Sequence, residues 1–517
     1  MSIIKKLASQ TAVYGLSTML GRFLNYALVP LYLSKFTPAE YGVVSVMFTY
    51  ASFLAILFAL GLETAFFNFS KQTNNPGKVF STATFTLILT GFAAILIARW
   101  TGPQIMDWMG YPQYPQLIEY LVLILAADAI SALGFAWLRQ QEKPWTFAYI
   151  RLSNIGINIL STLLLLVAAP AFAKFALQPH ATTTLLGIHF SADQFSSSQW
   201  QSFAHWCALQ AQPQNMIANI FISNLLASLI TLPLLSKTFT QLKNGFDVPL
   251  VKRMLKYSLP LIIVGLAGMI NETLDRVMLK KMLPANIADA ETGMYNAFYK
   301  LSLVLTLFVQ AFRFAAEPFF FSKSGDADAK ATYAYVMRYF VYVSGGIYLF
   351  TMVFMPWIAP LLMQNPLYYT NARGLSIIPV LLGANLCLGI YYNLSIWFKL
   401  SGKTQMGGLI AAIGALVTIT GNYLFIPKYG FVASAYTTLA AYALLVVMGY
   451  AFGQKNYPIP YPVPLLLFVL ALAIVPVVGL PIWAPSIPQY AYFALPIVYV
   501  ATIALIEKNL RKTHAIR

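Results

Sequence analysis

An apolar segment running from Tyr257 to Leu283 carries Asn271-Glu272-Thr273-Leu274-Asp275-Arg276 near its middle. At a rise of about 1.5 Å per residue the segment is long enough to cross a bilayer with some tilt. Ionisable side chains at that depth are costly unless they face protein, water or cargo, so the cluster points to a path for something polar. Glu272 and Arg276 stand i,i+4, which puts them on one helix face where they can pair. Asp275 lies i+3 from Glu272, on a neighbouring part of that face. The same residues could instead form an ion pair that only fixes helix packing.

The elements that must position this cluster are membrane helices. The chain has 517 residues, of which 59% are hydrophobic and only 9% charged, a composition that excludes a soluble globular protein. Hydropathy predicts fourteen spans, near 10–34, 41–69, 79–101, 116–138, 146–170, 214–236, 257–283, 293–318, 333–356, 375–398, 404–426, 430–452, 463–482 and 488–506. Lys5 and Lys6 precede an apolar run to Leu33 that is too long for a signal-peptide core, so this run is expected to be the first span. An even number of spans puts both termini on one side. Lys5, Lys6, Lys508, Arg511, Lys512 and Arg517 make that side cytoplasmic. The net charge of +17 arises from the same asymmetry, since most Lys and Arg fall in cytoplasmic segments that hold few acids. It is therefore no footprint of nucleic-acid binding.

Two connections are long. Residues 237–256, with Lys237, Lys243, Lys252, Arg253 and Lys256, divide six spans from the next six and read as a cytoplasmic interlobe linker along the inner leaflet. Residues 171–213 form an outer insert with His180, His189, His205, Asp193 and Cys207. The histidine spacings match no compact ligand motif, so no metal is expected. Trp200, Phe203 and Trp206 recur at every third position, which suits a helix resting at the membrane interface. Cys207 and Cys387 fall in the insert and in a span, and no disulfide is expected.

The halves repeat each other. Trp137-Leu138-Arg139 with Lys143 ends the fourth span, and Trp397-Phe398-Lys399 with Lys403 ends the tenth. Glu63 before Phe69-Ser70-Lys71 is matched more loosely by Glu317 before Phe321-Ser322-Lys323. Loops with Pro38 and Gly42, or Pro284 and Gly293, follow the first span of each half. Six spans per half give both the same orientation, so the repeat is parallel, about an axis along the membrane normal. The expected organisation is an N-terminal lobe over 1–236, a C-terminal lobe over 257–452, and an added helix pair with a basic tail over 453–517.

The residues that carry a family likeness are Pro30-Leu31-Tyr32, Phe36 through Gly42, Glu272 through Leu279, Tyr295 through Lys300, Phe308 through Arg313, Glu317 through Phe320, and Ser395 through Lys399. With these stretches the chain resembles the polysaccharide (Wzx-type) flippases of the multidrug/oligosaccharidyl-lipid/polysaccharide exporter superfamily, over about residues 10–450. The outer insert departs from the family's compact pattern. The resemblance implies an all-α polytopic fold of about fourteen helices, two six-helix lobes around a central cavity and a helix pair beside them. It also implies translocation of an undecaprenyl-pyrophosphate-linked oligosaccharide, such as an O-antigen or other surface-polysaccharide unit, across the bacterial inner membrane by alternating access. H+ or Na+ are the candidate coupling ions, and a polysaccharide polymerase with its chain-length machinery the candidate protein partners.

Against that cargo the intramembrane charges take candidate roles. Arg22, Arg276 and Lys300 are expected to bind pyrophosphate, the arginines as planar forks and the lysine as a point charge. Asp128, Glu272 and Asp275 are candidates for ion or proton coupling. Glu63, close to the inner surface, is assigned to gating or structure, and Arg313 with Glu317 to a structural pair at i,i+4. These interiors hold four cations against five acids, so the core is not net basic.

Two other readings remain open. A cation-coupled drug or metabolite antiporter of the same superfamily would suit carboxylates without intramembrane cations, and Arg22, Arg276 and Lys300 count against it. A membrane polysaccharide polymerase or transferase would need acid/base groups outside, which Asp193 and the histidines could supply. The twofold repeat is what alternating access uses, so a transporter without enzymatic activity or cofactor is expected.

Overall fold

The computed structural model describes residues 15, 17, 19–21, 23–73, 75–178, 180, 182–185, 188–195, 197–483 and 488–515. Among them eleven helices are long and apolar enough to cross a bilayer. The shorter apolar helices Leu303–Arg313 and Val463–Gly479 cover two more of the expected spans. The remaining one, 10–34, lies largely outside the described residues. The fold is all-α and polytopic. A small antiparallel hairpin, β1 (Thr182–Leu185) with β2 (Ile188–Ser191), is confined to the outer insert.

Helix starts follow local chemistry. Helix α1 covers Val29–Lys35 and α2 covers Pro38–Ala59. Thr37 and Glu40 close a capping box over the start of α2: Thr37 N donates to Glu40 Oε2 at 2.8 Å and Glu40 N to Thr37 Oγ1 at 3.4 Å. Next come α3 (Leu62–Gln72), α4 (Pro76–Met109), α5 (Leu117–Gln140) and α6 (Pro144–Leu163). A π-helical turn, Leu164–Ala168, joins α6 to α7 (Ala169–Ala176). Helices α8 (Ser198–Gln210) and α9 (Pro213–Leu234) complete this half. Pro76, Pro144 and Pro213 each occupy a first helical position, where a missing N–H costs nothing.

Helix α10 spans Val248–Met282, so it begins before the expected span start at Tyr257 and absorbs part of the expected linker. Asp247 explains the early start: its Oδ1 accepts from Leu250 N at 2.9 Å, and Lys78 Nζ lies 3.4 Å from its Oδ2. The backbone amide of Leu250, and then Lys78, hold the Asp247 carboxyl below its usual range. Beyond it lie α11 (Ala285–Leu301), α12 (Leu303–Lys323), α13 (Ala329–Val353), α14 (Ala372–Leu394) and α15 (Ile396–Leu400). The chain closes with α16 (Thr404–Tyr429), α17 (Phe431–Asn456), α18 (Val463–Trp483) and α19 (Ala494–Ala515).

Besides breaks at Phe354 and Ser395 near the ends of two expected spans, two spans are broken deeper in. Leu60 and Gly61, both at positive φ, separate α2 from α3. A glycine suits that turn, and a Cβ at Gly61 would also press on Ser258 Cβ at 2.9 Å. Ser302 separates α11 from α12, with its hydroxyl donating to Tyr299 O at 2.7 Å and accepting from Asn385 Nδ2 at 3.0 Å. These two deeper breaks fall in the second span of each half.

The chain forms two compact units. The first comprises 1–28 and 50–266, the second 29–49 and 267–517, so α2 and α10 each contribute to both. The core of the first unit gathers Leu62, Phe66, Phe80, Leu133 and Met254. Trp137 packs there, its ring 5.2 Å from that of Phe80. In the second unit Tyr391, Ile410, Tyr442 and Leu445 form a core cluster. Trp397 is buried and donates its Nε1–H to Gly449 O at 3.1 Å. The start of α2 meets α11 backbone to backbone, because a Cβ on Gly42 would sit 1.9 Å from Asp289 O and one on Gly293 only 1.8 Å from Pro38 O. Helix α19 is tied to α13 by Tyr339 Oη donating to Glu507 Oε2 at 2.8 Å and by Arg338 Nε, 3.3 Å from Glu507 Oε1.

Candidate functional site

In the second unit the α10 cluster closes on itself. Asp275 and Arg276 are 3% and 5% exposed. Arg276 Nη1 lies 2.9 Å from Asp275 Oδ1 and donates also to the Glu272 backbone carbonyl at 2.9 Å. Its Nε donates to Asn296 Oδ1 at 3.2 Å, while Asn296 Nδ2 donates to Ser45 Oγ at 2.8 Å. Tyr295 Oη donates to Asp275 Oδ2 at 2.5 Å. The guanidinium carbon stands 4.6 Å from the Tyr299 ring centre and 5.4 Å from that of Tyr295. A buried pair so fully hydrogen-bonded is strongly cross-braced, and removing one partner strands a charge at a cost of about 3–5 kcal/mol.

The carboxylate that holds Arg276 is therefore Asp275, whereas Glu272 contributes its backbone carbonyl. The Glu272 side chain is exposed on its helix, and its charge acts on half-buried Lys300 together with that of Arg276. Lys300 is the second residue before the Ser302 break. The structure thus brings Glu272, Asp275, Arg276 and Lys300 into one neighbourhood, with Asp275 committed to Arg276 and the other pair nearer the surface.

Below this group a polar row runs through α10, α16 and α17. Asn271 Nδ2 donates to Ala411 O at 2.9 Å, and Thr418 Oγ1 to Asn271 Oδ1 at 3.2 Å. Ser434 Oγ donates to Asn422 Oδ1 at 2.8 Å. Single-sequence patterning missed these partners because isolated Asn, Ser and Thr are common in membrane helices. Tyr295, Asn296, Tyr299 and Lys300 carried a usable signal, since two i,i+4 polar pairs interrupt an otherwise apolar span.

The first unit presents a different site. Asp128 is exposed, accepts from Ser228 Oγ at 2.7 Å, and feels the charge of Arg151. One helical turn beyond Arg151, Asn154 Nδ2 donates to Thr231 Oγ1 at 2.9 Å. Glu63 forms an ion pair with Arg139, whose guanidinium carbon lies 5.1 Å from the Phe67 ring centre. Arg313 is exposed and stands over the Tyr392 ring at 4.7 Å. Arg22 and the side chain of Glu317 lie outside the described residues. In the insert, His180 Nδ1 is 3.4 Å from Asp193 Oδ1. Among the described residues no group of three or more His, Cys, Asp or Glu could hold a metal ion.

Two family models, both described as polysaccharide biosynthesis protein, match residues 36–191 and 215–324. The chain is similar in structure to a lipid II flippase, MurJ, in an inward closed conformation, with a TM-score of 0.64 at 15% identity over 98% of this chain and 99% of that one. The likeness is one of fold, that of an all-α MurJ- and MATE-like transporter. The structural likeness extends to an inward-facing multidrug resistance MATE family transporter of the MOP superfamily, TM-score 0.55 at 12% identity, covering 88% of this chain and 98% of that one. A MOP superfamily transporter from Pyrococcus furiosus gives 0.56 at 13% identity, covering 86% and 95%. No curated protein sequence matches.

The family matches take in both sites. Residues 36–191 include Glu63, Asp128 and Arg139, while 215–324 include the Glu272–Arg276 cluster, Lys300 and the Ser302 break. The eleven apolar helices and the all-α fold describe a multi-pass membrane protein.

Proposed function

We propose that the chain moves an undecaprenyl-pyrophosphate-linked oligosaccharide, an O-antigen or other surface-polysaccharide unit, from the inner to the outer leaflet of a bacterial inner membrane. The observation that carries this reading is the match to polysaccharide biosynthesis models over residues 36–191 and 215–324, the second of which contains α10, on a chain with a flippase-like fold along 98% of its length. The two repeated halves act as the moving parts of an alternating-access cycle, with both termini cytoplasmic. The interruptions at Leu60–Gly61 and Ser302 favour such a cycle, because interrupted helices in the same span of each half mark the substrate pathway of many transporters.

Within that reading Lys300 is the cation offered to pyrophosphate, and Glu272 is its resident counter-charge when cargo is absent. A point charge on a flexible stem suits a phosphate that must be gripped and then released. Arg276 holds α10 and α11 in place to present them, and Arg22 remains a second candidate for the phosphate. Asp128 is the candidate for H+ or Na+ coupling, being exposed and tied through Ser228. A polymerase and its chain-length machinery would take the product outside.

The test is a strain lacking the protein, complemented with wild type or with Lys300→Ala. Lipid-linked oligosaccharide should accumulate in the inner leaflet of the null strain while its synthesis continues, and Lys300→Ala should restore little export at normal protein level. Unchanged export in the null strain would sink the reading. Asp128 and the MATE-like fold would then favour a cation-coupled antiporter of small molecules.

A further inference from the structure

The outer insert has an unusual surface for a segment that leaves the membrane. Between residues 171 and 213 the formal charges are Lys174 and Asp193 alone, and from Gln194 to Ser236 there are none. A helical hairpin standing in water normally carries roughly a quarter or more of its surface as Lys, Arg, Glu and Asp. Here the exposed positions of α8 are instead Trp200 at 45%, Phe203 at 46%, Trp206 at 45% and Leu209 at 49%.

Those rings form a continuous ladder. Trp200 and Phe203 have ring centres 6.1 Å apart, and Phe203 and Trp206 stack at 5.7 Å. The inner side of α8 is anchored on α7: Ala204 and Cys207 are buried, Phe172 meets Phe203 at 5.5 Å, and Gln201 Nε2 donates to Ala176 O at 3.4 Å. The far end is fixed to α9, where Asn215 Nδ2 donates to Leu209 O at 2.8 Å. The outward rings are therefore held by packing behind them. An exposed apolar patch on a rigid backing marks an interaction surface.

Continuity decides the occupant. The hairpin interrupts α6 and α9, and both expose apolar side chains along their lengths, Leu160, Leu163 and Leu164 on one side of the insert and Leu226 and Leu229 on the other. Towards α9 the ladder prolongs that lipid-facing surface without a charged residue between, while towards α6 only Lys174 and Asp193 intervene. A π turn at Leu164–Ala168, a feature at which helices bend, joins α6 to α7. Trp and uncharged polar residues (Gln199, Ser202, His205) share the exposed side, which is the mixture found at headgroup depth.

We propose that the α7–α8 hairpin is an interface paddle whose aromatic ladder lies in the headgroup–acyl boundary of the bilayer at the end of α6 and α9. A chain standing on stacked rings as a sugar-binding platform is the competing use, and it requires those rings to stand in water. The proposal is independent of which cargo is carried.

The experiment places a nitroxide at Phe203→Cys, and separately at Trp206→Cys, in a Cys207→Ala/Cys387→Ala full-length protein in nanodiscs of phosphatidylethanolamine and phosphatidylglycerol. Collision with oxygen is compared with collision with a soluble nickel chelate. Leu229→Cys on α9 supplies the membrane reference and Gln113→Cys, in an exposed turn, the aqueous one. Both ladder positions should give depths of about 5–10 Å below the headgroup surface, between the two references. Quenching of tryptophan emission by brominated lipid should also fall when Trp200 and Trp206 are replaced by Phe in the wild-type background. Nickel accessibility at Phe203→Cys and Trp206→Cys equal to that at Gln113→Cys, with quenching unchanged by the Phe replacements, would overturn the paddle.

Discussion

The carboxylates of the two units occupy opposite kinds of setting. Asp275, in the second unit, is 3% exposed and receives Arg276, Tyr295 and its neighbour's backbone N–H. Asp128, in the first, is exposed and receives Ser228 with Arg151 acting on it. A buried carboxylate with both oxygens engaged by three donors has little freedom to exchange partners during a cycle, so it braces the fold. An exposed one with a single short hydroxyl bond can exchange a proton or an ion when its surroundings change. Burial and partner count, more than charge at membrane depth, separate scaffold from working residue here.

The largest expected effect breaks the scaffold. Arg276→Ala leaves Asp275 buried without its cation and should lower stability by about 3–5 kcal/mol, read as a fall in thermal unfolding temperature in detergent and in the amount of inserted protein. Asp128→Ala, at an exposed position, should change the same quantity by only about 0.5 kcal/mol. Replacing both partners, Asp275→Leu with Arg276→Met, should recover most of the lost stability, since an apolar pair of similar volume removes the stranded charge. A folded double variant that moves no lipid would break the comparison by giving Arg276 a direct role.

Four further substitutions sharpen it. Lys300→Gln and Glu272→Gln should each slow transbilayer movement on the order of tenfold, equivalent to about 1.4 kcal/mol of barrier, with unfolding temperature nearly unchanged. Asp128→Asn should leave fold and basal movement intact while removing the response to an imposed H+ or Na+ gradient, measured in vesicles under each gradient. The smallest effect is at Asp247, whose carboxyl is held below its usual range first by the Leu250 amide. Its contribution is present above the unfolded carboxyl value of about 3.9 and disappears as pH falls through the lower folded value. Asp247→Asn should flatten that dependence, visible as protection of the Val248, Leu250 and Val251 amides, relative to their intrinsic exchange at each pH, that no longer falls on acidification.

The spans were legible because membrane helices are written in long apolar runs, and helix starts because Pro76, Pro144 and Pro213 punctuate them. The i,i+4 spacing pointed Arg276 toward Glu272, yet the carboxylate that binds it is Asp275. Helical spacing ranks neighbours by face, while a long arginine curls over its own turn and is steered by groups from another helix, here Tyr295, Asn296 and Tyr299. Gly42 and Gly293 drew attention as repeat marks, but their reason is a close crossing of α2 and α11 that no single segment reveals. Arg139 belonged to a span-end motif, and its pairing with Glu63 depends on two segments far apart in sequence. The break at Ser302 was hidden because a lone serine is tolerated in most helices, and the polar pairs before it carry no mark of a helix end.

The measurement that bears most directly on the account is transbilayer movement of a fluorescent undecaprenyl-pyrophosphate oligosaccharide in proteoliposomes. It compares the wild type, Lys300→Gln and the Asp275→Leu/Arg276→Met double variant at equal folded protein. The account predicts fast movement for the wild type, a rate close to it for the double variant, and a rate roughly tenfold lower for Lys300→Gln. Movement no faster than in protein-free liposomes for all three would contradict the flippase assignment. A normal rate for Lys300→Gln beside a dead double variant would reverse the roles given to the two cations.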